Sequence, residues 1–179
     1  HLILYISPMK IWGIDPGAFG AIAILDKDSR ELVIIDMPTL KVKRGPRVVN
    51  QVDAHMLADA LRGHVTADTS ALIEKVHAMP GQGVSSMFSF GRAAGIVEGV
   101  LAGLSVSFEL IPPATWIKSM RTFGGKDGSR QRAQELFPDY AHLFARKKDD
   151  GRAEAALLAC YAAEREDNEP SIRLPKGRR

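Results

Sequence analysis

The chain has 179 residues, of which 45% are hydrophobic and 25% charged, a composition that predicts one globular domain and excludes a mostly disordered chain. Its single cysteine, Cys160, excludes an internal disulfide and a cysteine-based zinc site, which favours a reducing, cytoplasmic setting. Lysine and arginine total 24 against 21 aspartate and glutamate residues, and this net charge of +3 is too small to establish a polyanionic partner.

The first half of the chain is predicted to be mainly β-structure. Short apolar runs at 10–14, 20–25 and 32–36, joined by turn residues, indicate a β-meander. The Pro-, Gly- and Arg-rich segment 38–51 predicts a basic loop. A helical period predicts a helix over 53–63, and a fourth apolar run predicts a strand over 70–76.

The second half alternates predicted helices with a further strand. The longest helix is expected over 86–104, and its apolar stripe predicts packing on the sheet and a share in a dimer interface. That stripe consists of Met87, Phe90, Ala94, Val97, Leu101 and Leu104, while Gly91, Gly95, Gly99 and Gly103 recur every four residues. The segments that follow are predicted to be a strand (106–111), a helix (114–120), a loop (124–128), a helix capped by Ser129 (129–137), a loop after Pro138 and a last helix (151–166). This order predicts one α/β domain with a mixed five-stranded sheet flanked by helices.

The two ends of the chain are expected to lie outside this domain. Residues 1–8 are apolar but far shorter than the roughly 18 residues of a membrane span, and they lack the basic start of a secretion signal. They are interpreted as an upstream extension, with the domain at 9–166 and a charged, flexible tail at 167–179. No membrane association is expected.

Carboxylates on separate elements form the most informative pattern. Asp15 directly follows the first strand in GIDPG, and Glu74 lies in the apolar run ALIEKV, where an unpaired charge is costly to bury. Asp149, Asp150 and Glu154 open the last helix, with Asp150 and Glu154 on one face. A turn aspartate, an edge-strand glutamate and a helix-dipole effect are the structural alternatives. If the carboxylates converge, their oxygens suit Mg²⁺ or Mn²⁺, and two ions could clamp a phosphoryl displacement.

Basic residues cluster along the chain and could bind a phosphate backbone. Each cluster alone is compatible with a solvated loop, but together they favour nucleic acid. The clusters are Lys41, Lys43, Arg44 and Arg47; Lys118, Arg121, Lys126, Arg130 and Arg132; Arg146, Lys147 and Lys148; and Arg173, Lys176, Arg178 and Arg179.

The motifs GIDPG, ALIEKV and KDDGRAEAALLA, in this order, resemble the RuvC family of Holliday junction resolvases. The intervening FGRAAGIVEGVLAGL, IPPATWIK and GGKDGSRQRAQELF resemble further family segments, so the similarity spans about residues 9–166. The resemblance implies a ribonuclease H-like fold. The family usually ends its acidic set with two aspartates three apart, whereas the Asp150 to Glu154 spacing resembles phage and prophage variants. Where bacterial members carry a junction-wedging aromatic, this chain has His77.

The resemblance also implies an activity, namely divalent-metal-dependent hydrolysis of a phosphodiester in four-way DNA junctions by a homodimer. Asp15, Glu74, Asp150 and Glu154 would hold two Mg²⁺ or Mn²⁺ ions, with Asp149 as a competing ligand. Lys118 or Lys126 would neutralise charge on the phosphate. The DNA-contacting set would be Lys41, Lys43, Arg44, Arg47, His77, Arg121, Arg130, Arg132, Lys147 and Lys148.

Other functions are compatible with parts of the pattern. GIDPGAFG also resembles the phosphate loop of actin-like ATPases and sugar kinases, but these need a second half-domain for adenosine. A non-catalytic DNA-binding module is disfavoured, because unused buried acids destabilise a fold. A nuclease that acts on flaps, forks or branched DNA in general cannot be separated from a strict junction resolvase by sequence.

Overall fold

A computed structural model describes residues 9–168. The elements are, in chain order, β1 (Lys10–Asp15), β2 (Ala21–Asp26), β3 (Leu32–Asp36), β4 (Thr39–Arg44), β5 (Arg47–Val52), α1 (Ala54–Arg62), β6 (Ser70–Glu74), α2 (Val84–Gly103), β7 (Ser107–Ile111), α3 (Pro113–Ser119), α4 (Gly125–Leu136), two 3-10 helices (Pro138–Phe144 and Lys147–Asp149) and α5 (Asp150–Asn168). The extension 1–8 and the tail from 169 onward lie outside the described residues, and residues 167–168 continue α5 instead of starting the predicted tail.

The predicted mixed five-stranded sheet is confirmed, with strand order β3-β2-β1-β6-β7. The meander β1-β2-β3 is antiparallel, whereas β6 and β7 run parallel to β1 and to each other. The carboxyl ends of β1, β6 and β7 therefore meet at one edge of the sheet, where polar groups converge in open α/β sheets. This topology places Asp15 and Glu74 on adjacent strand ends.

Helices cover both faces of the sheet, as the continuous burial of β1 from Ile11 to Ile14 requires. Ile11 faces a core built with α5, α3 and α4, whereas Trp12 and Ile14 face a core built with α1 and α2. Helix α5 crosses β1 very closely at Gly13, where a built Cβ would lie 2.1 Å from the carbonyl oxygen of Ala155. A side chain at position 13 would push α5, and the residues at its start, away from the strand ends.

The expectation of a loop over 38–51 is wrong, because β4 and β5 pair as an antiparallel hairpin. Valines opposite each other, Val42 and Val49, pack between the charged positions, and Gly45 makes the turn with a φ of +59°. The Pro, Gly and Arg content that suggested a loop is concentrated at this turn. The hairpin rests on α2, where the Arg44 guanidinium donates to Ser89 Oγ at 2.9 Å.

The predicted loop 124–128 and the predicted Ser129 cap are also wrong, since α4 begins at Gly125. Gly124 and Gly125 adopt φ values of +90° and +63°, which glycine tolerates, and they turn the chain directly into the helix. Ser129 is buried one turn inside, and its hydroxyl donates to the Gly125 carbonyl. The earlier start brings Lys126 into the first turn of α4.

The apolar stripe of α2 faces the protein's own sheet. Three residues of the stripe, Ala94, Val97 and Leu101, are buried, and Val97 and Leu101 lie in the core with Trp12 and Ile73. The prediction that these three side chains form part of a dimer interface is therefore wrong. Met87 and Phe90, nearer the start of α2, are half-buried. The exposed face of α2 instead carries the glycine row 91, 95, 99 and 103, with open space where each Cβ would project.

Candidate active site

Asp15 ends β1 at the sheet edge and is held by a glycine turn. Its Oδ1 accepts from the Gly17 amide at 3.2 Å, and the Gly20 amide closes the turn on the Gly17 carbonyl at 2.9 Å. A Cβ at position 20 would lie 2.1 Å from the Asp15 carbonyl oxygen, so the turn requires glycine there. The motif GIDPG thus fixes one carboxylate at the end of the central strand.

Glu74 is the last residue of β6, one position after the Ile14–Ile73 pairing with β1. The apolar run predicted a strand that continues to Val76, but β6 ends at Glu74. The buried Trp116 indole Nε1 in α3 donates to Glu74 Oε2 at 2.9 Å. This bond engages one oxygen and orients the carboxylate.

The start of α5 brings two more carboxylates to the same edge. Gly151 packs against the Asp15 turn so closely that a Cβ would lie 2.5 Å from the Phe19 carbonyl oxygen and 3.1 Å from Asp15 Oδ2. Asp150 precedes this contact, and Glu154 follows one helical turn later on the same side. Asp150 forms an ion pair with the Lys126 ammonium.

Electrostatic coupling indicates that the four carboxylates lie near one another at this edge of the sheet. Burial raises the pKa of Asp15, and the charge of Asp150 adds to the effect. Burial and then Asp15 raise the pKa of Glu74. Burial, followed by repulsion from the other three, raises the pKa of Glu154 to about 8. A cluster of acids that repel one another while partly desolvated is typical of a cation site.

The donor set fits hard divalent ions, since it consists of carboxylate oxygens on three elements. Among residues 9–168, no three His, Cys, Asp or Glu groups already stand in the arrangement of a bound ion. The present side-chain conformations are set by Trp116 and Lys126, which hold Glu74 and Asp150. An ion bound at this edge would need the carboxylates to lie closer together than they do in this structure.

Asp149 lies apart from this cluster and serves the chain locally. It is 1% exposed, and it accepts from the Arg146 amide at 2.9 Å and from the Arg146 guanidinium at 2.9 and 3.2 Å. Burial opposes its ionisation, but the bonds from Arg146 hold the pKa of Asp149 below its usual value. Because both of its oxygens are engaged, Asp149 is a capping residue of the turn before α5, and Asp150 is the one that faces the site.

The structure separates the two candidate lysines. Lys126 contacts Asp150, and this bond raises the pKa of Lys126. Lys118, in the last turn of α3, is exposed, as is Lys126, so the contact with Asp150 and not burial distinguishes the two lysines. Within residues 9–168, Lys126 is the lysine brought to the carboxylates.

Several expected DNA-contacting residues are engaged within the protein. Arg130 binds Asp127 at 2.6 Å, and Arg132 binds the Met120 carbonyl at 3.0 Å. Arg44 holds the β4–β5 hairpin to α2. The other members of the set, Lys41, Lys43, Arg47, His77, Arg121, Lys147 and Lys148, are exposed.

Two features of the site do not follow from the sequence patterns. Trp116 orients Glu74, although the motif IPPATWIK gives it no role, and Gly151 seats α5 on the Asp15 turn, although the pattern marks it only as a helix start. A tryptophan just after a strand and a glycine beside an acidic pair are the signals that could have indicated them. Neither signal identifies its partner without the fold.

Comparison with known proteins supports the fold assignment. No protein-family profile matches the chain. A stretch of 86 residues, 47% of the chain, is 31% identical to the chloroplastic Holliday junction resolvase MOC1 of Chlamydomonas reinhardtii, of which it spans 10%. Thermus thermophilus RuvC superimposes with a TM-score of 0.54 at 13% identity, covering 89% of this chain and 97% of that one.

Two further structures show the same fold. T. thermophilus RuvC in complex with a Holliday junction substrate gives a TM-score of 0.54 at 15% identity, covering 88% of this chain and 97% of that one. The yeast mitochondrial Holliday junction resolvase Ydc2 gives 0.55 at 14% identity, covering 92% and 85%. The chain shares the fold of RuvC and Ydc2, which confirms the expected α/β architecture of a mixed five-stranded sheet flanked by helices.

Proposed function

We propose that this protein is a divalent-metal-dependent endonuclease that cuts four-way DNA junctions. The observation that carries the proposal is the meeting of Asp15, Glu74, Asp150 and Glu154 at the carboxyl ends of the central strands of a RuvC-like fold. One similar structure is a complex of RuvC with a Holliday junction substrate, and the relative found by sequence is a Holliday junction resolvase. Because the aligned segment spans a tenth of that relative, the activity is inferred for this chain and not transferred whole.

The four carboxylates would hold Mg²⁺ or Mn²⁺ as a pair of ions, with Asp15 central because it ends β1, the middle strand of the sheet. When bound, such ions supply a lowered pKa for the attacking water and stabilise the leaving oxygen. The Trp116 indole would orient Glu74 through its hydrogen bond to Oε2. Lys126, released from Asp150, can turn its ammonium toward the phosphate and offset the developing negative charge.

Exposed basic residues around this edge would bind the DNA backbone. Six basic residues of the expected set are exposed, namely Lys41, Lys43 and Arg47 on the hairpin and Arg121, Lys147 and Lys148 near α4 and α5. Phosphate contacts of this kind position the DNA and do not select sequence. No helix among residues 9–168 is both long and apolar enough to cross a bilayer. The cytoplasmic setting expected from the lone cysteine stays a prediction.

A homodimer is the expected assembly, since a four-way junction has two-fold symmetry and two opposed sites can cut two strands. The exposed glycine row of α2 is the surface we assign to the partner, because two helix backbones can approach closely over glycines. This face replaces the inward stripe predicted from sequence.

The proposal is tested by Asp15→Asn, with Asp28→Asn as the matched control. Asp28 is exposed in the β2–β3 turn, at the opposite end of the sheet from Asp15. We expect Asp15→Asn to abolish Mg²⁺- and Mn²⁺-dependent cleavage of a labelled four-way junction while retaining binding, and Asp28→Asn to cut normally. A panel of junction, fork, flap and linear duplex measures selectivity. Undiminished cleavage by Asp15→Asn would contradict the metal assignment.

A further inference from the structure

Two phenylalanines project into solvent on the two loops that deliver groups to the carboxylate site. Phe19 is 81% exposed and Phe123 is 79% exposed. Phe19 lies four residues after Asp15, and Phe123 lies three residues before Lys126. A fully exposed aromatic ring contributes little to folding, since it buries almost no apolar surface.

The backbone beneath each ring is fixed in the same way. The Phe19 carbonyl oxygen lies 2.5 Å from a Cβ built on Gly151, in the first turn of α5. The Phe123 carbonyl oxygen lies 1.6 Å from a Cβ built on Gly128, in the first turn of α4. Each loop backbone therefore packs tightly against the first turn of a helix, while the phenylalanine side chain lies largely in solvent.

The helices that hold the two rings are the ones that supply the site. Helix α5 carries Asp150 and Glu154, and α4 carries Lys126, which forms an ion pair with Asp150. Asp15 and Lys126 also interact electrostatically. Phe19 therefore lies on the turn that packs against the start of α5, and Phe123 lies on the loop just before Lys126. Both loop backbones are closely packed, which limits the ordering cost when a ligand binds.

We propose that Phe19 and Phe123 stack on unpaired nucleobases that flank the phosphate held at the carboxylates. This deepens the proposed function and rests on it. A flat aromatic ring matches the π-face of any base, so the contact would select strand opening and not sequence. The exposed Arg121 beside Phe123 adds a cation for the adjoining phosphate. Paired duplex offers no exposed base face, so these rings would favour branched or locally opened DNA.

The test measures binding without divalent ions, so that DNA stays intact. The variants are Phe19→Ala, Phe123→Ala and the aromatic replacement Phe19→Trp, with Phe108→Ala as a control. Phe108 is 36% exposed on β7, where it pairs with Ala71, several residues from the Glu74 end of the sheet. The DNAs are a four-way junction with 2-aminopurine at the branch point and a linear duplex of equal length.

We expect each alanine variant to bind the junction about tenfold more weakly, which is the loss of one stacked base. Duplex binding should be unchanged, and 2-aminopurine fluorescence, quenched by the wild type, should be restored. Phe19→Trp should retain affinity and quenching, and Phe108→Ala should match the wild type. Junction binding and quenching that are unchanged in both alanine variants would overturn the inference while leaving the proposed nuclease intact.

Two other outcomes are distinguishable. If the wild type neither binds nor cuts branched DNA, the proposed function fails, and this inference fails with it. If the alanine variants change the molar mass in light scattering but leave fluorescence unaltered, the rings belong to a protein interface and the inference is overturned.

Discussion

Replacing Glu154 by glutamine is expected to stabilise the protein while weakening its response to Mg²⁺. Burial and repulsion from Asp15, Glu74 and Asp150 raise the pKa of Glu154 from 4.5 to about 8. At about 1.4 kcal/mol for each tenfold change in proton affinity, ionising this group in the folded state costs up to about 5 kcal/mol. Relaxation of the partly exposed side chain reduces this, so we expect a gain of about 2 kcal/mol.

The sign of this pH dependence follows from which state, folded or unfolded, binds the Glu154 proton more tightly. Because the pKa of Glu154 in the folded protein lies above its unfolded value of 4.5, the folded state keeps the proton longer. Its contribution to stability is fully present below pH 4.5 and is lost as the pH rises toward about 8. Glutamine stays neutral, so the two proteins should differ little in acid and most in alkali.

The assay is urea unfolding with a chelator at several pH values between about 5 and about 9. Glu164→Gln is the matched control, because Glu164 is exposed on the same helix. Added Mg²⁺ should then stabilise the wild type, since a ligand that binds only the folded state raises its stability, and should stabilise Glu154→Gln much less. A stability difference that does not change with pH, or a less stable variant in alkali, would refute the reasoning.

Four further results are expected. Asp149→Asn should lower the free energy of unfolding by about 2 kcal/mol, because it weakens the charged hydrogen bonds to Arg146. The same variant should still be stabilised by Mg²⁺, and loss of that stabilisation would identify Asp149 as a metal ligand. Lys126→Ala should slow junction cleavage by about 100-fold and Lys118→Ala by less than about threefold, in single-turnover assays, and equal losses would contradict the assignment. Gly95→Leu should shift the protein to monomer in analytical ultracentrifugation, whereas an unchanged mass excludes the glycine face as the seam. Added salt should weaken junction binding with a log–log slope steeper than about −3, and a flat response in fluorescence anisotropy would count against phosphate contacts.

Local patterns in the sequence were enough to predict the sheet and its central carboxylates. Turn residues between short apolar runs predicted the meander, and GIDPG and ALIEKV placed Asp15 and Glu74 on its strands, because period and turn chemistry act over a few residues. The hairpin at 39–52 was missed because composition obscured its alternation. Gly45 and its neighbours in the turn are typical loop residues, and they led to the prediction of a loop although the paired valines indicate strands.

Which residues meet was decided by the tertiary structure. Asp149 and Asp150 are neighbours in sequence, but one lies under Arg146 and the other points at Lys126, since consecutive residues at a helix start project in different directions. The stripe on α2 has a clear period, but a period cannot tell whether the face it marks meets the protein's own sheet or a second chain. Asp15 and Glu154 lie near opposite ends of the domain's sequence, and only the close seating of α5 on Gly13 and on the Asp15 turn brings their charges into one pocket.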